Sequence, residues 1–314
     1  MNYRSVSDLN KNILGWIPLL PTDIDLIVGV PRSGLLAANL LSVYMNKPLA
    51  DFGNFLKGEI LGSGLRMPLN NKLEYLNKQR NVLIVDDSLN SGTQLSLIKS
   101  AASNTQTKHK ILYSVVYIKP GSEHLVDYYV EKLEAPRIFE WNYMHHPGVL
   151  EWCFDIDGVL CRDPEDYEND DGENYIMFLR NVKPKIRTSK KLGVLVTCRL
   201  EKYREITEEW LAKNKISYKK LVMLDLPNKK ERQRLAIHAE FKSSVYKHER
   251  AKLFVESSYE QAVNIANISG KEVLCVDKSC MVRPGAFNVI KRNKLSIFKC
   301  IKLPLSLLKK YTNR

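Results

Sequence analysis

Hydrophobic residues in this chain gather into short uninterrupted runs, separated by small and polar residues. In the first half the runs predict alternating elements, with strands over 23–30, 47–50, 81–85 and 110–118 and helices over 35–44 and 94–102. The strand runs show no polar alternation, which is typical of strands buried on both faces of a parallel sheet. Residues 52–80 contain four glycines and several basic side chains, so we expect a flexible excursion there.

The periodicity breaks near 141–148 and then starts afresh. A second series follows, with strands over 151–155, 193–197, 220–224, 252–256 and 271–276, helices over 201–214, 239–248 and 259–268, and an acidic loop over 163–173 between its first two strands. This alternation predicts an α/β fold class with two domains, each an open parallel sheet flanked by helices. We expect the domains to span 1–145 and 146–285, with a basic amphipathic tail over 286–314.

Length and charge agree with this division. The chain has 314 residues, 44% of them hydrophobic, which is enough for two cores. The net charge is +13, and the tail alone carries eight basic and no acidic residues. A basic body suits phosphate-bearing substrates. The charge could also serve nucleic acid, but no nucleic-acid-binding module accompanies it.

The sequence has no apolar run long enough to span a bilayer, and its first residues do not resemble a signal peptide. We therefore expect a cytoplasmic protein. The tail combines apolar and basic residues, which favours peripheral contact with the inner membrane face. A docking helix with a disordered end is the alternative reading of the same residues.

The first chemical motif is Val-Leu-Ile-Val-Asp-Asp-Ser-Leu-Asn-Ser-Gly-Thr at 82–93. Asp86 and Asp87 end an apolar strand, where their carboxylates can accept hydrogen bonds from the hydroxyls of a ribose. The small residues that follow open a helix, and their backbone amides can form a cradle for a dianion. The alternative is an ordinary helix cap beside two solvated acids.

This motif resembles the phosphoribosyl-diphosphate signature of type I phosphoribosyltransferases, especially the orotate phosphoribosyltransferase-like branch. Residues 27–34 resemble that family's diphosphate loop, and the resemblance covers about residues 15–130. It implies that Asp86 and Asp87 hold the ribose hydroxyls and that Mg²⁺ accompanies the phosphoribosyl diphosphate donor. It implies the 5-phosphate contacts Ser88, Leu89, Asn90, Ser91, Gly92 and Thr93. It places Arg32, Ser33 and Gly34 at the diphosphate. It does not identify the acceptor.

The second motif is Phe-Asp-Ile-Asp-Gly-Val-Leu at 154–160. The spacing of Asp155 and Asp157 lets one carboxylate act as nucleophile and the other as proton donor. Two anions at one strand end also favour Mg²⁺. Taken alone, Asp-x-Asp-Gly is a common loop.

Together with a strand ending at Thr197 and another ending at Glu256, this motif resembles the haloacid dehalogenase superfamily of phosphatases across 150–280. The resemblance implies Asp155 as nucleophile, Asp157 as general acid and then base, and Thr197 as a ligand of the phosphoryl group. Mg²⁺ would be held by Asp155, the main chain of Asp157, and Glu256. The family's lysine is assigned to Lys242, with Lys247 and Lys252 as alternatives. The short gaps between motifs leave no room for a large cap domain.

The two motifs predict two consecutive reactions, transfer of 5-phosphoribose to an acceptor and hydrolysis of the 5-phosphate. We expect a bifunctional enzyme that acts as a ribofuranosyltransferase on a glycan or lipid-linked glycan in surface polysaccharide assembly. One alternative is a nucleoside-like small product. Another is a donor-sensing module that regulates a phosphatase. A homodimer is an open alternative for the assembly.

Overall fold

The computed structural model of this protein describes residues 1–61, 75–76, 78–104 and 108–286. The chain divides into two compact units, Met1–Trp141 and Asn142 onward, within the predicted break at 141–148 and four residues before the predicted domain boundary at 145/146. The predicted basic tail lies outside the described residues apart from Ala286, and so does most of the second half of the predicted excursion over 52–80. Within the described ranges, no helix is long and apolar enough to cross a membrane.

Unit one contains a sheet of five strands in the order β3-β2-β4-β5-β6, with every neighbouring pair parallel. Its strands are β2 (Leu26–Gly29), β3 (Leu49–Asp51), β4 (Asn81–Leu89), β5 (Lys110–Ile118) and β6 (Tyr128–Lys132). A separate parallel pair joins β1 (Asn2–Arg4) to β7 (Arg137–Phe139). The helices described are α1 (Val6–Trp16), α2 (Ser33–Met45), α3 (Phe52–Leu56) and α4 (Thr93–Ser103).

Both faces of this sheet are buried, as the unbroken apolar runs predict. Along β4, Leu83 and Val85 pack into a core with α1 and α2. Val82 and Ile84 pack into a second core with Phe55 of α3 and Ile98 of α4. Neighbouring side chains of a strand point to opposite faces, so one apolar run supplies both cores. Mixed α/β architecture with parallel, helix-flanked sheets is therefore confirmed.

Three features of unit one differ from the predictions. Strand β4 continues to Leu89 and does not end at residue 85, because β5 pairs with it as far as Ile118. The predicted phosphate loop over 88–93 is accordingly shortened to 90–92. Helix α1, capped by Ser5, and strands β1, β6 and β7 were not predicted. Helix α3, capped by the Asp51 side chain, lies inside the predicted flexible excursion.

Unit two contains a sheet of six strands in the order β10-β9-β8-β11-β12-β13. Its strands are β8 (Trp152–Phe154), β9 (Leu192–Leu200), β10 (Tyr218–Leu224), β11 (Leu253–Glu256), β12 (Val273–Cys275) and β13 (Cys280–Val282). All pairs are parallel except β12 with β13, which is an antiparallel edge pair that the sequence did not predict. The helices are α5 (Glu173–Asn181), α6 (Arg204–Lys213), α7 (Lys229–Leu235), α8 (His238–His248) and α9 (Tyr259–Ser269).

Each sheet has a point at which the strand order reverses. In unit one the chain moves from β2 to β3 on one side and from β4 to β5 on the other. In unit two it moves from β8 to β9 on one side and from β11 to β12 on the other. Connections that diverge in this way leave a crevice at the carboxyl ends of the two central strands, where open α/β sheets bind ligands. Both predicted sites lie at such crevices.

Candidate active sites

In unit one, most of the residues predicted to hold the ribose and its 5-phosphate line a cavity of about 150 Å³ near the carboxyl end of β4. Its wall includes Asp86 and five of the six residues predicted to hold the 5-phosphate, namely Ser88, Leu89, Asn90, Ser91 and Gly92. Gly92 adopts a left-handed backbone with φ of 82° and helix α4 begins directly after it. Thr93 does not line the cavity, and its Oγ1 lies 2.9 Å from Ser91 Oγ. Helix α4 therefore points its amino end at the cavity, which favours an anion.

Val30, directly after β2, lines this cavity, and helix α2 approaches Asp86 at Gly34. A Cβ at this position would lie 2.7 Å from Asp86 Oδ1 and 2.8 Å from Asp86 Cα. Only glycine lets helix α2 approach β4 so closely. Arg32 is exposed at the amino end of the helix, beside a cis peptide between Pro31 and Arg32. The predicted diphosphate residues thus stand next to the acidic pair.

Asp86 and Asp87 are adjacent and differ in their surroundings. Burial, reinforced by the charge of Asp87, raises the pKa of Asp86 to about 8. Asp87 does not line the cavity and accepts hydrogen bonds from Ser33 Oγ at 2.8 Å and from Trp141 Nε1 at 3.0 Å. A second nearby side chain, Arg137, donates through Nη2 to the carbonyl of Leu89 at 2.7 Å. Sequence reasoning missed Trp141 and Arg137, because neither belongs to a motif.

In unit two, Lys242 lies between two carboxylates from the central strands. Its Nζ donates to Asp155 Oδ2 at 2.6 Å and to Glu256 Oε2 at 2.7 Å, and also to Gln261 Oε1 at 2.9 Å. The lysine side chain is 2% exposed. The two alternatives do not approach this cluster, since Lys247 is exposed and Lys252 pairs with Glu151.

Burial dominates the electrostatics of this cluster. It raises the pKa of Asp155 to about 7, and the charge of Glu256 adds to that effect while Lys242 opposes it. Burial also disfavours the charge of Lys242, but Asp155 and Glu256 outweigh it and raise the pKa of the lysine. Lys242 is therefore held as a cation beside the carboxyl group of Asp155, the predicted nucleophile.

Asp157 is held by Arg199, which the sequence analysis did not assign. The guanidinium donates through Nη2 to Asp157 Oδ1 at 2.6 Å and through Nε to Asp157 Oδ2 at 3.1 Å. The Arg199 side chain is fully buried, whereas that of Asp157 is 18% exposed. Such a two-point pair fixes the orientation of a carboxylate. Its signal in the sequence was the spacing, because Arg199 follows Thr197 by two positions on β9 and shares its face.

Two further features shape the site. Thr197 is buried, and its Oγ1 accepts a hydrogen bond from the Arg199 amide at 3.2 Å. Gly158 has a left-handed φ of 78°, and a Cβ there would lie 2.1 Å from Ser257 Oγ. The turn after Asp157 therefore requires glycine. Asp155, Thr197 and Glu256 come from three adjacent strands, β8, β9 and β11, so the sheet places them at one edge.

The donor set can be compared with what Mg²⁺ requires. Among the residues described, no three His, Cys, Asp or Glu side chains are grouped so as to hold a metal ion. Asp155 Oδ2 and Glu256 Oε2 converge on Lys242 Nζ, and the Asp157 carboxylate is held by Arg199. Mg²⁺ in phosphoryl-transfer sites commonly uses one or two carboxylates, with waters and substrate phosphate completing the shell. Asp155 and Glu256 supply that number of carboxylates, but the point between them holds the Lys242 ammonium, and the magnesium site stays a prediction.

Comparison with solved structures finds phosphoribosyltransferases among the similar chains. A purine phosphoribosyltransferase from Pyrococcus horikoshii Ot3 is 25% identical, with a TM-score of 0.33, over 45% of this chain and 92% of that one. A xanthine-guanine-hypoxanthine phosphoribosyltransferase from Helicobacter pylori is 15% identical, with a TM-score of 0.33, over 45% and 91%. A hypothetical protein from Neisseria gonorrhoeae with bound ppGpp is 15% identical, with a TM-score of 0.33, over 45% of this chain and 89% of that one.

TM-scores of 0.33 are too low to support a conclusion about this chain, so its interpretation rests on its own strands and residues. No family model matches the sequence, and no curated protein does.

Proposed function

We propose that this protein transfers 5-phosphoribose from phosphoribosyl diphosphate to an acceptor and then removes the 5-phosphate. One observation carries the proposal. In unit one Asp86 and Asp87 lie on β4 just beyond the end of β2, and in unit two Asp155 and Glu256 lie at the carboxyl ends of β8 and β11, in each case at the point where the connections diverge. Two separate crevices of this kind, each with groups suited to phosphate chemistry, support two consecutive reactions on one substrate.

For the transfer, the cavity at the end of β4 would receive the donor. The amino end of α4 and the loop over 90–92 would bind the 5-phosphate, while Asp86 and Asp87 would accept hydrogen bonds from the ribose hydroxyls. The acceptor hydroxyl attacks C1, the bond from C1 to the diphosphate oxygen breaks, and the departing diphosphate takes up the hydroxyl proton. Arg32 stands where it can balance the charge of that leaving group. Mg²⁺ on the diphosphate would add to this stabilisation.

For the hydrolysis, Asp155 would attack phosphorus and the bond from phosphorus to the ribose O5 would break. Lys242 offsets the negative charge that the nucleophile and Glu256 bring to the site. Asp157, oriented by Arg199, would give a proton to O5 and later take one from the water that cleaves the aspartyl-phosphate. The Thr197 hydroxyl would donate a hydrogen bond to a phosphoryl oxygen.

We propose a glycan as the acceptor, which would make the protein a ribofuranosyltransferase of surface polysaccharide assembly. The absence of a large cap insertion between Asp155 and Lys242 supports this, because an uncovered phosphatase edge admits a bulky substrate. A nucleobase acceptor and a donor sensor remain the alternative hypotheses, and the experiment below separates them.

The test is to incubate the protein with phosphoribosyl diphosphate, Mg²⁺ and a cell extract, and to identify the product by mass. Asp155→Asn should accumulate a product that is one phosphate heavier, whereas Asp166→Asn, an exposed acid of the same unit, should not. Equal product masses from wild type and Asp155→Asn contradict the sequential scheme. If diphosphate is released when a nucleobase is the acceptor but not when any glycan is the acceptor, the glycan hypothesis is wrong. Phosphatase activity that needs the donor without diphosphate release favours the sensor.

A further inference from the structure

Unit two has a groove that the proposed chemistry does not use. It has a volume of about 720 Å³ and lies between the acidic loop after Asp157, helix α5 and residues 182–185. Tyr167 stands on the loop side, while Met177 and Asn181 stand on the helix side. The sequence predicts an acidic loop here but does not predict helix α5.

The groove adjoins the phosphatase centre through a short ladder of backbone contacts. Asp157 pairs with Cys161, and Cys161 pairs with Pro184 at the groove. Neighbouring strands are separated by about 4.8 Å, so two such steps place this wall roughly 10 Å from Asp157. Lys185, which also lines the groove, donates through Nζ to the carbonyl of Gly158 at 2.9 Å. A molecule in the groove would therefore lie beside the catalytic turn.

The lining combines exposed apolar surface with carboxamides. Tyr167 is 72% exposed and Met177 is 61% exposed, both high for such large apolar side chains. Asn174 and Asn181 stand among them. A carboxamide offers both donors and an acceptor, which matches a hydroxyl group that needs both. Apolar faces combined with amide groups suit a sugar ring, whose C–H face is apolar and whose edge carries hydroxyls. An acyl chain would offer these carboxamides no hydrogen-bonding group, although Asn181 Nδ2 already donates to the Met177 carbonyl at 3.0 Å.

The charge at the groove suits a ligand that carries phosphate. Arg162 Nη2 and Glu168 Oε1 form an ion pair at 2.6 Å, so their charges largely cancel. Lys183 adds positive charge along the side that leads to Gly158, while Lys185 on the same side has its Nζ 3.4 Å from Asp277 Oδ1. Positive charge at this side attracts the phosphorylated end of a ligand toward the catalytic turn.

We infer that this groove binds the saccharide part of a phosphoribosylated acceptor and thereby presents its terminal 5-phosphate to Asp155. The inference rests on the proposed function and adds the place where the acceptor is recognised, together with its chemical class. It assigns Tyr167 and Met177 to contacts with the sugar faces, and Asn174 and Asn181 to contacts with the hydroxyls.

The test compares binding of two probes by calorimetry, using the full chain with Asp155→Asn so that neither probe is hydrolysed. One probe is a disaccharide of 5-phosphoribofuranose linked to a hexose, and the other is ribose 5-phosphate. Adding Tyr167→Ala or Met177→Ala should weaken binding of the disaccharide about tenfold, which corresponds to about 1.4 kcal/mol. Ribose 5-phosphate should bind within twofold of its original affinity, because it lacks the saccharide part. Ile268→Ala is the matched control, since Ile268 is 39% exposed on α9 outside the groove.

Kinetics then separate this inference from the proposed function. In the otherwise wild-type chain, Tyr167→Ala should raise KM for the disaccharide while hydrolysis of p-nitrophenyl phosphate is unchanged. If the wild type hydrolyses neither probe, the phosphatase proposal fails. The calorimetric binding measurements then still test whether the groove binds the saccharide. If Tyr167→Ala and Met177→Ala leave disaccharide binding as tight as in the Ile268→Ala control, the groove assignment is wrong. The same holds if both probes bind with equal affinity.

Discussion

Replacing Lys242 by methionine tests the charge arrangement at the centre of unit two. Methionine retains the length and the apolar stem of lysine but removes the cation that lies 2.6 Å from Asp155 Oδ2 and 2.7 Å from Glu256 Oε2. The lysine is 2% exposed, and the two carboxylates are 8% and 0% exposed, so water cannot replace it. Removing one partner of a buried ion pair costs about 3–5 kcal/mol, because the remaining charge is left uncompensated.

We expect Lys242→Met to lower the free energy of unfolding by an amount in that range at neutral pH. Urea denaturation followed by tryptophan fluorescence measures it, since Trp152 and Trp210 are buried in unit two. Lys247→Met is the matched control, because Lys247 is exposed on the same helix. An exposed substitution of this kind changes stability by less than about 0.5 kcal/mol. Phosphatase activity should be lost in Lys242→Met alone.

A second substitution separates charge from packing. Adding Glu256→Gln to Lys242→Met removes one of the two buried charges left without a partner, so the double variant should regain about 2 kcal/mol over Lys242→Met. A loss below about 1 kcal/mol in the single variant would refute the reasoning. No recovery in the double variant would show that the loss comes from packing and not from charge.

Other substitutions test both units. The pKa of Asp86, raised from 3.8 to about 8, means that the folded protein keeps this proton to higher pH than the unfolded chain, so the wild type loses stability as pH rises through that window. The Asp86→Asn variant lacks this pH dependence. Its free energy of unfolding should exceed that of the wild type at pH 8, by about 5 kcal/mol at most, but not at pH 4. Parallel pH profiles of the two proteins in urea denaturation would contradict this prediction. Gly34→Ala should destabilise the protein by about 1–3 kcal/mol, because the added Cβ overpacks against Asp86. Gly15→Ala is the control and should not destabilise it, since the space around its Cβ is open. Equal melting temperatures of the two variants would argue against the close approach of Gly34 to Asp86. Arg199→Lys keeps the charge but not the two-point contact with Asp157, so kcat for p-nitrophenyl phosphate should fall about tenfold with KM unchanged; an unaltered kcat excludes the positioning role.

The sequence alone determined the class of the fold and the position of the acidic residues along it. Strand β5 has the predicted bounds, and helices α4 and α9 begin and end within one residue of prediction. These features are local, because an unbroken apolar run and a turn of small residues constrain the backbone wherever the segment lies. Asp86 and Asp155 could be recognised for the same reason, since each follows directly on such a run.

Only the tertiary structure decided which of these residues meet. The bond from Lys242 to Asp155 joins residues 87 positions apart, and the bond from Arg199 to Asp157 joins residues 42 apart. Periodicity shows that a segment is buried but does not show which charged side chain is buried beside it. Strand order determines that choice, because it brings the ends of β8, β9 and β11 to one edge of the sheet. Burial then selects Lys242 over two exposed lysines, since a charge in the interior is retained only beside an opposite charge.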